Sequence, residues 1–227
     1  MAVCSGFDKA SGIRREKIIR GNTSFGGSHL VRGEKGIYPE KQDTITLTGS
    51  GSESWFLYDN KEGIADFIGN VWKRIAGIRL VDGRFQYIKD NDAAAPDCDL
   101  SRDSKEWADV LIDEKPLKVS VEDGKITILA TNGGTGKKYG GEEWQNVRIE
   151  IDSIPDFVKA LGILPAKREG NKEYFYADTR ESECVPFRGG CFNDASGAGT
   201  SALELDYSRS GIHGIVGFFT AYYDFES

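Results

Sequence analysis

The residues of this chain best suited to direct chemistry are four cysteines, two histidines and one acidic triplet. Cys4, Cys98, Cys184 and Cys191 are widely separated and form no Cys-x-x-Cys pair, and His29 and His213 are the only histidines. Structural zinc takes four such ligands in close pairs, so this spacing argues against a zinc site. An even cysteine count permits two disulfides, but a chain of 227 residues is long enough to fold without them, and free thiols are expected. Asp90-Asn91-Asp92 sets three oxygen-bearing side chains in a row. That pattern suits calcium, but an ordinary Asx-rich turn uses the same residues and is the simpler reading. Gly133-Gly134-Thr135-Gly136-Lys137-Lys138 resembles a phosphate loop, but Lys138 occupies the position where that loop needs Ser or Thr. A flexible loop over Asn132 to Gly141 is expected there. Cys191 has no histidine or other base near it in sequence, and a lone thiol without a base is usually inert or buried. The expectation is therefore no catalytic residue, no metal and no cofactor.

The elements that would position a site come from the pattern of apolar residues. Thr44 to Thr48 alternates, and Trp55 to Tyr58 is short and aromatic, so both read as strands. Ile64 to Ile78 has helical spacing through Phe67, Ile68, Val71, Trp72 and Ile75, but Gly69 and Asn70 interrupt it. Val81-Asp82-Gly83-Arg84 reads as a hairpin turn between Ile78–Leu80 and Phe85–Ile88. Asp123-Gly124 does the same between Leu117–Val121 and Lys125–Ala130. Ser104 to Ile112 fits a short helix capped by Ser104, with Trp107, Val110 and Leu111 as its apolar face. Ser153 would cap a second helix from about Ile154 to Leu161, with Asp156 in the capping box and Gly162 ending it. Val147–Ile151 and Tyr174–Tyr176 read as strands, and Ile13 to Ile19 as either a helix or a strand.

The stretch that organises the chain is Arg188 to Phe219, RGGCFNDASGAGTSALELDYSRSGIHGIVGFF. It has no lysine, and apolar anchors at Ala198, Ala202, Leu203 and Leu205 are set among small and polar residues. This suits loops held on a scaffold of short strands, a common way for proteins to carry function. Composition agrees. The chain is globular at 39% hydrophobic and 29% charged residues, and its 28 glycines with 11% aromatics favour short strands and turns over a helical bundle. A net charge of −7 argues against nucleic-acid or anionic-membrane binding. The Arg14–Arg20 basic cluster reads as a solvated face. No signal peptide and no apolar run long enough to span a bilayer is visible, so no membrane insertion is expected and the location would be cytoplasmic or virion-associated. One domain over 1–227 is the simplest division, with 1–50 as a possible extension.

Two segments, FIGNVWKRIAGIRLVDG (Phe67 to Gly83) and PFRGGCFNDASGAGTSALELDYSRSGIHGIVGFF (Pro186 to Phe219), resemble the C-type-lectin-fold variable proteins of diversity-generating retroelements, of phage, prophage or archaeal-virus type. The shared marks are Gly69-Asn70-Val71-Trp72, Arg188-Gly189-Gly190, Ala198-Gly199, Leu203-x-Leu205, Arg209-Ser210 and Val216-Gly217-Phe218. The chain departs where Lys73-Arg74 follows Trp72 and where Phe219 ends the last box. Formylglycine-generating enzymes share the same resemblance, but their cysteines lie a few residues beyond the Arg-Gly-Gly box. Here Cys191 follows it directly, with no cysteine downstream.

The resemblance implies an α+β fold of the C-type lectin type, with short strands, two helices and long irregular loops. It implies a non-catalytic protein that binds a protein or cell-surface ligand, with an oligomer allowed. The alternatives are a structural virion or tail component without a diversified site, or an oxidase of the formylglycine-generating type. In such proteins, exchange at template adenines reaches Asn, Asp, Ser, Thr, Tyr, His, Gly, Ala, Cys, Phe and Ile. The candidate ligand-binding residues within region 188–219 are Cys191, Phe192, Asn193, Asp194, Thr200, Asp206, Tyr207, Gly211, Ile212, His213 and Gly214. Glu204 falls outside the reachable set. These side chains would form a shallow, solvent-facing patch, with Phe192, Tyr207 and Ile212 giving contact area and the polar residues giving hydrogen bonds, core packing being the alternative for Phe192 and Tyr207.

Overall fold

A computed structural model describes residues 21–23, 45–57 and 60–219. Its strands are β1 (Trp72–Arg74), β2 (Ile78–Val81), β3 (Arg84–Ile88), β4 (Trp107–Asp109), β5 (Leu111–Ile112), β6 (Lys115–Glu122) and β7 (Lys125–Ala130). They continue as β8 (Tyr139–Glu143), β9 (Arg148–Glu150), β10 (Tyr174–Asp178), β11 (Phe187–Arg188), β12 (Leu203–Leu205) and β13 (Val216–Gly217). Helix α1 (Asp156–Leu161) lies between β9 and β10.

The strands form two sheets. One runs β13-β1-β11-β12-β10-β8; the other runs β2-β3-β6-β7-β9, with β4 on β3 and β5 on β6. Both expected hairpins are present. Asp82 and Asp123 have φ of 47° and 48°, and the glycine after each also has positive φ, the backbone of a two-residue turn that matches strand twist. Beyond β7, residues 131–138 form a loop, but Tyr139–Gly141, expected to belong to it, are part of β8, where they pair with β10.

Several expectations are corrected. Ser104 to Ile112 is not helical. Trp107, Ala108 and Asp109 pair with Ile88, Tyr87 and Gln86, and Val110 and Ile112 are buried while Leu111 is exposed. That alternation has a period of two, and the strand pairing overrides the helical reading. Ser104 Oγ instead accepts the Glu106 N–H at 3.1 Å. Ile64 to Ile78 is also not a helix, because Asp66 and Asn70 have positive φ, which a right-handed helix cannot contain. Within Thr44–Thr48 the described part turns at Leu47, with the Ser50 N–H bonded to the Leu47 carbonyl at 3.0 Å. Glu53–Trp55 is a short 3-10 turn, and Phe56 makes a single bridge to Ala65. Helix α1 starts later than expected and is capped by Pro155 with no side-chain bond, so Ser153 is not the cap. Gly162 does end it, in the left-handed conformation. Thr44, Tyr58, Ile13–Ile19, the Arg14–Arg20 cluster, Cys4 and His29 lie outside the described residues.

The main core draws on both sheets, through Leu117, Val119 and Val121 of β6, Ile126 and Ile128 of β7, Phe175 and Ala177 of β10, and Leu203 and Leu205 of β12. At its centre Trp144 lies flat on Phe175, with ring centroids 4.5 Å apart, and donates its indole N–H to the Ser201 carbonyl at 2.7 Å. A second, smaller cluster of Ile45, Trp72, Val185, Phe187, Cys191, Phe192 and Ala202 packs around β1 and β11.

Because Trp144 is fully buried, Trp144→Ala is expected to lower unfolding stability by about 3 to 5 kcal/mol. Trp144→Phe keeps a ring on Phe175 and loses only the Ser201 bond and some volume, so its loss should be clearly smaller. Urea unfolding midpoints of the two variants check this order.

Candidate functional site

The ribbon beyond β11 is held at both ends by the same short strand. β1 pairs antiparallel with β11, Lys73 facing Arg188, and parallel with β13, Trp72 facing Val216. The Trp72 N–H also bonds the Ile215 carbonyl at 2.7 Å. Just before β1, Asn70 is almost fully buried. Its side-chain oxygen accepts the Thr46 N–H at 3.0 Å, and its amide donates to the Thr46 carbonyl at 2.8 Å. Gly189 and Gly190 turn the chain out of β11 with φ of 92° and 76°. A Cβ on Gly190 would sit 2.6 Å from that of Ala198, so the turn needs glycine on both grounds.

The first part of the ribbon folds back on this frame. The Phe192 N–H bonds the Asn70 carbonyl at 3.0 Å, which turns Cys191 and Phe192 into the cluster around Trp72. They are 1% and 4% exposed. This corrects their place in a solvent-facing patch and decides for the alternative of core packing at Phe192 and of a buried thiol at Cys191. Asp194 is half-buried, and its carboxylate accepts the Cys191 N–H at 2.6 Å, so it closes the turn. Asn193 is exposed at the tip, and Thr200 is half-buried.

The second part lies on the far side of β12. Asp206, Tyr207 and Gly211 are half-buried, while Ile212, His213 and Gly214 are exposed, Ile212 at 95%. Tyr207 meets Phe187 edge-on at 5.8 Å and His213 at 5.7 Å between ring centroids. The structure thus joins Tyr207, Gly211, Ile212 and His213 in one loop. Cys191, Phe192 and Tyr207 share the apolar cluster beneath it.

Residues that sequence reasoning did not single out complete this region. A cavity of about 570 Å3 opens beside the loop, bounded by Arg74, Trp107, Phe187, Arg209 and His213 among others. Behind it Glu183 accepts from Arg79 at 2.9 Å and from Arg209 at 2.8 and 3.0 Å. Burial alone would raise the Glu183 pKa, but the two guanidiniums overcome this and hold it below the usual carboxylate range. Of the cavity's lining, Arg209 and Val216–Phe218 belonged to recognised boxes and Gly211, Ile212 and His213 were candidates. No local pattern links Arg209 to Arg74 and Trp107, which come from different sheets.

Three ionisable groups, two buried and one half-buried, lie within or beneath the ribbon. Lys73, 6% exposed, donates to the Gly69 carbonyl, and burial pushes its pKa down to about 7 against the opposing pull of Asp66 and Cys191. Glu204 is 6% exposed, and burial, with Asp206 and Asp194 nearby, pushes it up to about 9. Asp206 is raised by burial to about 6. Glu204 Oε2 and Asp206 Oδ1 have no hydrogen-bond partner among the described residues. At neutral pH Glu204 is therefore protonated. Cys98, Cys184 and Cys191 are free thiols, and burial pushes Cys184 up to about 12. Among the described residues no three His, Cys, Asp or Glu side chains are grouped to share a metal ion, and no helix is long and apolar enough to cross a membrane.

Glu204 gives a pH-dependent prediction. Its carboxyl ionises near 4.5 in the unfolded chain and near 9 when folded. Burial therefore carries no ionisation cost below the lower value, and the cost grows as pH rises through the interval. Glu204→Gln should change Tm little at pH 4 and raise it by about 5 °C at pH 8. Thermal unfolding at both pH values checks this, and equal shifts would mean that Glu204 is ionised in the fold. No family model and no curated protein matches this chain.

Proposed function

We propose that this chain is a non-catalytic binding protein of the C-type lectin fold, whose ribbon between β11 and β13 carries side chains that a retroelement can exchange. The observation that carries this reading is the neighbourhood of the boxes. Trp72 of the Gly-Asn-Val-Trp box lies on β1, Arg188 on β11, Leu203 and Leu205 on β12, and Val216 on β13, and these four strands are adjacent in one sheet in the order β13-β1-β11-β12. Boxes remote in sequence thus build one frame, and the residues between them form its outer loops.

Burial divides the ribbon into anchors and exchangeable positions. Ala198, Ala202, Leu203 and Leu205 are at most 2% exposed. Asn193, Ile212, His213 and Gly214 face solvent, with Tyr207 partly covered beside them. A protein or cell-surface ligand would meet the second group, where Ile212 and Tyr207 supply apolar area and His213 and Asn193 supply hydrogen bonds. Cys191 has the sequence position nearest to that of an oxidase cysteine, but it is buried, and burial with the neighbouring Asp194 carboxylate pushes its thiol pKa up. A thiol held protonated is a poor nucleophile, which supports a binding role over an oxidative one.

Two measurements test the reading. The encoding locus should carry a reverse transcriptase and an imperfect repeat of the last coding segment; a locus with neither would sink the retroelement part. The combined variant Asn193→Ser, Ile212→Asn and His213→Tyr should move Tm by no more than about 2 °C. Phe192→Ser should cost about 3 kcal/mol or more, because it empties a packed position and buries a hydroxyl. If the triple exchange unfolds the protein, the ribbon is structure rather than an exchangeable surface.

A further inference from the structure

The cavity beside Tyr207 and His213 has an uneven charge balance. Its surface is mostly apolar, from Val185, Phe187, Val216 and Trp107. Among the described residues, the charged side chains that line it are Arg74 and Arg209, with no aspartate or glutamate. Arg209 is fully engaged, with two donors on Glu183 and a third on the Leu100 carbonyl at 2.8 Å. The same Glu183 carboxylate also neutralises Arg79, whose guanidinium lies 4.3 Å over the Trp107 ring. One carboxylate therefore serves two guanidiniums, and a third stands beside them. Arg74 is exposed, makes one long bond of 3.4 Å to the Arg209 carbonyl, and has no ion-pair partner among the described residues. Burial and the positive charge of Arg209 lower the Arg74 pKa and the Glu183 carboxylate only partly opposes them, so an arriving anion would relieve a repulsion already present.

We propose that this cavity binds a small amphiphilic carboxylate, its apolar body against Phe187, Val185 and Trp107 and its carboxylate on the Arg74 guanidinium. Its volume of about 570 Å3 is that of a small-molecule site, and an apolar floor with one or two directed polar groups is the usual build of such sites. A guanidinium at the rim meets a carboxylate with two parallel hydrogen bonds, which fixes orientation and rejects a neutral analogue. The chain as a whole carries a net charge of −7, so this local excess of positive charge runs against the field of the molecule. The inference extends the binding role proposed above. It shares Arg209, Gly211, Ile212, His213 and the β13 end with the ribbon; Arg74, Val185, Phe187 and Trp107, which would hold the carboxylate and most of its apolar body, come from β1, β4, β11 and the loop before β11.

The probe is 1-naphthoate, titrated into the full chain by calorimetry, with neutral 1-naphthamide as its control. Naphthoate is expected to bind with a Kd on the order of 0.1 to 1 mM and naphthamide at least about tenfold more weakly. Arg74→Gln should weaken naphthoate about tenfold with Tm unchanged, and Arg74→Lys should recover part of the loss. Equal affinity for acid and amide, naphthoate binding unaffected by Arg74→Gln, or no binding up to about 5 mM overturns the proposal. Should Arg74→Gln lower Tm, the acid-against-amide comparison on the unaltered chain decides alone. The Ile212 and His213 exchanges read the ribbon separately, so failure of the pocket and failure of the ribbon give different results.

Discussion

The structure depends on a single three-residue strand with partners on both sides. β1 joins β11 on one edge and β13 on the other, so it closes the sheet around the ribbon. A strand this short has few ladder bonds of its own, and its position is fixed by the groups before it. The buried Asn70 amide satisfies both the N–H and the carbonyl of Thr46, and the Asn70 carbonyl receives the Phe192 N–H. One residue thus ties the chain near position 46 and the start of the ribbon to the same point. An unmade bond there would leave buried polar groups without water, which costs more than the bond itself contributes.

The hairpins were legible in the sequence because their signals are local. Asp-Gly between alternating apolar residues determines both the turn and the register. The strands near Trp107 were misread because Trp107, Val110 and Leu111 fit one face of a helix as well as they fit a sheet, and only pairing with β3 decides between them. β1 could not be read at all: its middle residue is a buried lysine, which no periodicity assigns to a core. The strands on either side of the ribbon, β11 and β13, fall in the Arg-Gly-Gly and Val-Gly-Phe boxes. The facing of the ribbon was not legible, because the burial of Cys191 and Phe192 follows from a single hydrogen bond to Asn70, a long-range contact. The arginine-lined cavity was invisible for the same reason, since Arg74, Arg79 and Arg209 meet only after both sheets have formed.

The floor beneath the ribbon contains ionisable groups that a purely apolar core would exclude. Lys73 and Glu204 are displaced toward their neutral forms, in opposite senses, and each loses stability over a different pH range. Lys73 is penalised as pH falls from its unfolded value of 10.5 toward about 7, and Glu204 as pH rises from 4.5 toward about 9. Around neutrality both penalties are present together. Such groups lower stability where an apolar core would not, and this is the local cost that a proposed binding surface above them would carry.

The parallel pairing of β1 with β13 also bears on how the chain is made. Trp72 and Val216 are separated by more than half of the sequence, yet they are neighbours in the sheet. A ribosome that adds about 5 to 20 residues per second holds β1 without this partner for many seconds. During that interval the edge that β13 will cover is open to pairing with other extended chains.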